Sequence, residues 1–419
     1  MPPSPRPANL AIDSTRLMSR LAALGRVGAL PGGGVCRLAL TDTDRQGRDR
    51  VVGWMRDLGL AVTVDRIGNV FGLRPGAEEG PPVVIGSHID TVATGGLYDG
   101  ALGVLAGLEV VNVLNDAAIR TRRPVAVAFF TNEEGARFAP DMMGSGVLSG
   151  HLDLAEMLSS VGIDGATLGD DLARIGYAGE TPVGAIAAHC YLELHIEQGP
   201  VLDAEGIAIG AVTGVQGICW TEYRFKGQTN HAGTTPMTMR RDAGYAAARL
   251  AVEARRVALE TGGAQVATVG RFGVTPGLTN VVPGEALLTT DLRNTDGAVL
   301  AAADARLQAF AREVAAAEGV ALETRALARF DPVAFDPALV GLVEETARGL
   351  GHSVRRMPSG AGHDAQMFAP HCPSAMIFVP SKGGISHNIT EHTDPAQIAA
   401  GAGVLLRVAL EKAGVESDE

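Results

Sequence analysis

The chain has no surplus of positive charge. Its formal net charge is −12, whereas a nucleic-acid binder normally displays a basic stripe. The same sign argues against attraction to an anionic membrane surface. Cysteine is scarce: Cys36, Cys190, Cys219 and Cys372 are scattered, and no C-x-x-C pair occurs. That excludes a disulfide framework and a thiolate zinc site, and it fits a reducing cytosol. No uninterrupted apolar run approaches the ~20 residues needed to span a bilayer. The opening MPPSPRPANLAID is proline-rich and lacks the apolar stretch of a signal peptide, so a cytoplasmic location is expected. Internal repeats are absent as well.

What the chain does have is length and apolar content. With 419 residues and 46% hydrophobic side chains, two domains with sizeable cores are expected. Leu17, Leu21 and Leu24 recur at helical spacing before Gly25 and Gly28, and Val51, Val52, Met55 and Leu58 mark a second helix closed by Gly59. PPVVIGSHID (81–90), GALGVLAGLEVVNVLNDA (100–117) and VAVAFFTNEEG (125–135) read as strand, helix and strand. That order predicts an α/β domain with a mostly parallel sheet flanked by helices and with chemistry at strand ends.

From 213 to 331 the pattern changes. Strands are expected in CWTEYRFKG, QVATVGRFGV and EALLTTDLR, with Ala-rich helices near 241–259 and 297–317. This predicts an inserted α+β sandwich. The α/β character then returns, with a helix at 338–350, a strand at 374–379 and a last helix at 395–413. The expected plan is one catalytic domain in two parts, 1–212 and 332–419, split by an inserted domain at 213–331.

Short loops after the apolar strands gather imidazoles and carboxylates. His88 and Asp90 form H-x-D, and Asp99 follows in GGLYDGALG. Glu133 and Glu134 stand side by side in TNEEG, His195 lies in YLELHIEQGP, and His387 lies in GGISHN. A single histidine is more often a packing residue than a ligand. Together, nitrogen and carboxylate donors without cysteine suit Zn²⁺, Mn²⁺ or Co²⁺. Two such ions need a carboxylate that can bridge them, and Asp99, short and flanked by glycine, is the candidate. Neighbouring side chains on an extended chain point different ways. One of the paired glutamates can therefore hold a cation while the other serves as general base.

The motifs GSHIDT, YDG, FFTNEEG, LELHIEQGP, NHAGTTPM, MPSGAGHDA and SHN, in this order, resemble the M20 family of dinuclear metal amidohydrolases and peptidases. Within it they are most similar to the N-carbamoyl-amino-acid hydrolase branch, which includes allantoate amidohydrolase and β-ureidopropionase-like members. The resemblance implies two divalent ions, with Ni²⁺ a further option. It gives His88, Asp99 and His195 to the first ion and Asp99, Glu134 and His387 to the second. Glu133 becomes the general base, and Asp90 orients His88.

In the inserted domain the resemblance makes His231 an oxyanion donor, and Asn280 and Arg293 substrate-binding residues. Gln198 and Gln216 are weaker polar candidates. The SGAGHD stretch, with Gly360 and Gly362, is read as a backbone site for an anion, and His363 as structural. The family also implies a homodimer through the inserted domain, which acts as a lid. Peptidase relatives usually carry a carboxylate where His195 sits, so a histidine there points to the carbamoylase branch. The expected substrate is an N-carbamoyl-L-amino acid. Alternatives are allantoate, N-carbamoyl-β-alanine, a peptide amide, or a metal-stabilised binding protein without chemistry. VQGICWTEY has no Arg in its first half, which favours the carbamoyl amino acid over allantoate.

Overall fold

The computed structural model describes residues 10–416. The proline-rich start up to residue 9, on which the signal-peptide expectation rests, lies outside the described residues. The chain divides into two compact units: Gly214–Val333, and the described chain on either side of it. The units thus meet one to two residues beyond the expected boundaries.

The first unit is built on a nine-stranded sheet. At its centre stand four neighbouring strands: Val125–Phe130, Val83–His88, Cys190–Ile196 and Ser374–Val379. All three pairings among them are parallel. Every residue of these four strands is buried. Sequences such as VAVAFF are apolar on both faces because helices cover both sides of a parallel sheet. The flanking strands Val70–Arg74 and Ile209–Val215 pair antiparallel to this core.

Two long helices pack against the central strands. Ala101–Asp116 is buried along nearly its whole length, and Pro395–Ala413 lies against it. The second begins on Asp394 and Pro395 and stops at Gly414, which has φ +67°. Start and stop follow ordinary helix chemistry: proline is preorganised for the first turn, and glycine tolerates the positive φ at the end. The helices Ser14–Gly25 and Asp42–Asp57 are capped by Asp13 and Thr41, whose side chains accept backbone N–H groups.

The second unit is a four-stranded antiparallel sheet in the order Ala321–Phe330, Gly217–Lys226, Glu285–Asn294, Val266–Thr275. Helices Ala243–Thr261 and Gly297–Glu318 pack on it. Burial alternates strictly along Glu285–Asn294. Its inward residues Ala286, Leu288 and Leu292 join Tyr223, Phe225, Leu250 and Leu307 in one core. A two-residue ribbon, Asn230–His231 against Val281–Val282, sets the NHAGTTPM and GLTNVVPG motifs side by side.

Candidate metal centre

Because the four central strands run parallel, their C-terminal ends open on one side of the sheet, the usual place for a site in this architecture. His88 is the last residue of its strand, level with Phe130. His195 stands level with Phe378. Glu133 and Glu134 follow the Val125–Phe130 strand, and His387 lies in the loop after Ser374–Val379. Asp99 immediately precedes Gly100, which caps the Ala101–Asp116 helix with φ +63°. A Cβ at Gly100 would overlap the His88 ring. Glycine is required there for both reasons.

These residues converge on Asp99. Its Oδ1 lies 3.6 Å from His88 Nε2 and 3.2 Å from His195 Nε2. Its Oδ2 lies 3.3 Å from His387 Nε2, which is in turn 3.2 Å from Glu134 Oε2. Two donor groups result, His88–Asp99–His195 and Asp99–Glu134–His387, and within each the candidate ligand atoms lie within 4.8 Å of one another. Asp99 is common to both and offers a different oxygen to each. Glu133 Oε2 stands 3.3 Å from His88 Nε2 and belongs to neither group.

The donor set fits divalent cations. His88 Nδ1 lies 3.0 Å from the Asp90 carbonyl, and His195 Nδ1 lies 2.8 Å from the Ile196 carbonyl. A carbonyl only accepts, so each Nδ1 carries the hydrogen and donates it. Nε2 is thereby left as the coordinating nitrogen. It is the backbone oxygen of Asp90 that faces His88. The carboxylate accepts from the backbone N–H groups of Glu133 and Glu134 at 3.2 and 3.3 Å. The physical reason is the position of the TNEEG turn, which aims two N–H groups at Asp90.

Electrostatics point the same way. Burial pushes the Glu133 carboxyl well above the usual carboxylate range, with Asp364, Glu134 and Asp90 adding to the effect against His88. Burial raises Asp90 to about 6. For Asp99 burial also acts upward, but hydrogen bonds from His195, His387 and His88 outweigh it and hold the group well below its ordinary value. His387, hydrogen-bonded to Asp99 and Glu134, rises to about 10. His88 and His195 are raised as well, the carboxylates overcoming the cost of burial. The site draws positive charge towards Asp99, and a cation supplies more of it than a proton does.

The remaining expected residues fall in separate places. Gln198, with φ +58°, donates from Nε2 to Asp99 Oδ2 at 2.9 Å. In SGAGHD, Ala361 N–H donates to Ser359 Oγ and His363 N–H to Gln366 Oε1. The stretch is therefore not a continuous row of N–H groups awaiting an anion. Gly360 is exposed, and Gly362 packs on Met142. His363 is buried, with Nε2 2.8 Å from Ser359 Oγ and its ring edge-on to His195. Burial and His195 hold it well below the usual imidazole value.

Within the second unit, His231 is exposed and its Nδ1 accepts from Gly233 and Thr234 N–H. Its neutral form therefore carries the hydrogen on Nε2. Asn280 adjoins it, its carbonyl accepting from Ala232 N–H. Arg293 is paired with Asp291 at 2.9 Å and lies over the Trp220 ring. Gln216 donates to the Ala264 carbonyl at 3.4 Å.

A model of peptidase family M20/M25/M40 matches residues 84–411. The chain belongs to this family. It is 43% identical over 408 residues to an N-carbamoyl-L-amino-acid amidohydrolase of Rhizobium meliloti, covering 97% of this chain and 98% of that protein. It is 34% identical over 410 residues to a ureidoglycolate hydrolase of Arabidopsis thaliana, covering 95% and 86%. Among solved structures it resembles an amidase of the hydantoinase/carbamoylase family from Burkholderia multivorans, with TM-score 0.94, 48% identity and coverage of 96% and 98%. Family and donor groups together point to divalent-metal binding.

Several buried polar residues of this family member escaped the reading of its sequence. Glu193 lies two residues before His195 and accepts from Ser87 Oγ, Tyr191 Oη and Ala365 N–H. Asp364 accepts from Ser145 Oγ at 2.5 Å. Glu391 accepts from Ser386 Oγ and from two backbone N–H groups beside Asp99. The signal for Glu193 was available: a glutamate inside an otherwise apolar strand, CYLELHI, must find partners. Nothing local marks Glu391.

Proposed function

We propose that this chain is a metal-dependent amidohydrolase that cleaves the carbamoyl C–N bond of N-carbamoyl-L-amino acids, yielding the amino acid, carbon dioxide and ammonia. The observation that carries the reading is the pair of donor groups sharing Asp99 with an uncommitted Glu133 beside them, in a chain similar along its whole length to N-carbamoyl-L-amino-acid amidohydrolases. His195 in the first group supports the carbamoylase branch over the peptidases.

Two divalent ions, drawn from Zn²⁺, Mn²⁺, Co²⁺ or Ni²⁺ and held by His88, Asp99 and His195 and by Asp99, Glu134 and His387, would acidify a water and polarise the carbonyl. Glu133 takes the proton of the attacking water and returns it to the leaving nitrogen. Burial raises its affinity for that proton, which suits a group that must both accept and release it. Asp90 holds the backbone of Glu133 and Glu134, which fixes the paired glutamates in register.

His231, with hydrogen on Nε2, is the proposed oxyanion donor, a role worth about 3–4 kcal/mol in comparable sites. Arg293 and Asn280 are the proposed readers of the substrate carboxylate, Arg through its two-pronged guanidinium. Gln198, Gln216, Gly360 and Gly362 are further proposed substrate contacts. A homodimer formed through Gly214–Val333, that unit's service as a lid, and a cytoplasmic location complete the proposal.

The test is a substrate panel on metal-reconstituted protein. It holds N-carbamoyl-L- and D-amino acids, N-carbamoyl-β-alanine, allantoate, ureidoglycolate, N-acyl amino acids and dipeptides. The reading expects the highest kcat/KM with N-carbamoyl-L-amino acids. A clear preference for ureidoglycolate, allantoate or a dipeptide would replace it.

A further inference from the structure

Glu391 takes no part in either donor group, yet it is buried to 4% exposure at their edge. One of its oxygens, Oε1, accepts from the backbone N–H groups of Tyr98 and Asp99 at 3.1 and 3.3 Å. The other, Oε2, accepts from Ser386 Oγ at 2.9 Å. Residue 99 is the shared donor, and residue 386 adjoins His387. A single carboxylate therefore ties together two segments 287 residues apart in sequence, each carrying a candidate ligand.

Both segments need such a tie. His387 has φ +52°, a left-handed conformation that a side chain with a Cβ adopts at a cost. It is also half exposed, so packing alone does not fix it. Its loop turns tightly, with Glu391 N–H donating to the Asn388 carbonyl and Thr390 N–H to Asn388 Oδ1. The backbone of His387 itself has only a long cross-link to this region, Thr94 Oγ1 to the His387 carbonyl at 3.5 Å. On the Asp99 side, space has been left for the carboxylate. A Cβ at Gly96 would occupy the position of the Glu391 carboxyl group. Gly96 has no positive φ to explain it, so its lack of a side chain serves the Glu391 carboxylate.

We propose that Glu391 is a positioning residue for the Asp99–Glu134–His387 group, holding the backbone of Asp99 and the His387 loop at the separation a shared cation requires. This rests on the two-ion reading given above. The proposal assigns the effect to the hydrogen bonds of the Glu391 carboxylate, which hold the Tyr98 and Asp99 backbone through Oε1 and Ser386 through Oε2, beside the direct contact of Ser386 Oγ with Asp99 Oδ2 at 3.2 Å. Glutamine keeps an acceptor for Tyr98 and Asp99 N–H, and its NH2 can donate to Ser386 Oγ, whose hydrogen then goes to Asp99 Oδ2; alanine keeps neither link.

The experiment measures metal stoichiometry by elemental analysis and the rate at which a chelator strips Zn²⁺, in wild type, Glu391→Ala, Glu391→Gln and Gly96→Ala. Thermal melts of the metal-free proteins run alongside. In Glu391→Ala, one of two ions should be lost or stripped at least about tenfold faster, while the other is retained. Gly96→Ala, which evicts the carboxylate but leaves Glu391 in the chain, should reproduce this. Glu391→Gln should stay close to wild type. Normal binding and stripping in Glu391→Ala and Gly96→Ala, with only the metal-free melting temperature lowered, would overturn the proposal. So would equal losses in Gln and Ala, which would show that the hydrogen bonds glutamine keeps do not position the group. If Glu391→Ala does not fold, Gly96→Ala and Glu391→Gln still decide. Wild type that takes up fewer than two ions would instead refute the two-ion reading, and the proposal with it.

Discussion

Glu133 Oε2 lies 3.3 Å from His88 Nε2, whereas the adjacent Glu134 turns its carboxylate to His387. Two consecutive acids thus face two different imidazoles. If Glu133 is the proton carrier and not a ligand, Glu133→Gln should bind metal as wild type does. It should lose about 10²–10⁴-fold in kcat, the usual worth of a general base. Elemental analysis and steady-state kinetics on the same preparation check both halves. A variant that kept full turnover would remove Glu133 from the role.

Metal removal should destabilise the protein. Asp90, Asp99, Glu133, Glu193, Asp364 and Glu391 are all buried in the first unit, several in one neighbourhood. A cation offsets their repulsion. An ion at about a thousandfold its Kd adds about 4 kcal/mol to the folded state. Chelated protein should therefore melt lower, and added Zn²⁺ or Mn²⁺ should restore the transition in a concentration-dependent way. A chelator that left the melting curve unchanged would count against an ion at this site.

Arg293 is expected to act on binding more than on chemistry. Losing a charge-assisted contact costs about 1.5–3 kcal/mol, so Arg293→Ala should raise KM roughly 10- to 100-fold for carboxylate substrates with kcat less affected. Lysine should restore little, since it lacks the planar fork. Equal damage toward an analogue without the carboxylate would point to a structural role through Asp291 and Trp220.

A pH prediction concerns Asp65, away from the metal centre. Burial raises its carboxyl to about 6, although Asn69, Ile67 and Gly68 donate to it. Its ordinary value is near 4. Between these values the folded chain holds a proton that the unfolded chain has released, so stability falls as pH rises. The contribution is fully present below about 4 and gone above about 6, and amounts to about 3 kcal/mol by the size of the shift. The wild-type minus Asp65→Asn difference in unfolding free energy, measured on metal-free protein, should decline across that window and then level off. A flat difference from pH 4 to 8 would refute it.

Much of the α/β core was legible because its signals are local. VAVAFF and AMIFV read as strands since both faces are apolar, and the Ala101–Asp116 helix followed from its apolar run. The antiparallel edge was not legible. The hairpin of Ala61–Val64 and Val70–Arg74 is short, and its register depends on Asp65 and Asn69, not on alternation. Ala321–Phe330 also escaped, because ETRALARF is exposed along most of its length and carries no inward stripe.

At the site, residue types and their positions after strands pointed to metal chemistry. Which oxygen of Asp99 faces which histidine is a three-dimensional fact. So is the choice between the backbone and the carboxylate of Asp90 as the partner of His88. Glu391 shows the limit most plainly, since the backbone groups of Tyr98 and Asp99 that it holds lie almost three hundred residues earlier.

The candidate donors span the chain from His88 to His387, and Gly214–Val333 is threaded between the fourth of them and the last. During synthesis the ribosome must therefore finish the whole second unit before the final imidazole emerges. Until then Asp99 and Glu134 lack the third member of their group. If the second group holds a cation, its uptake must be a late event, and full loading would report that both halves of the sheet have come together.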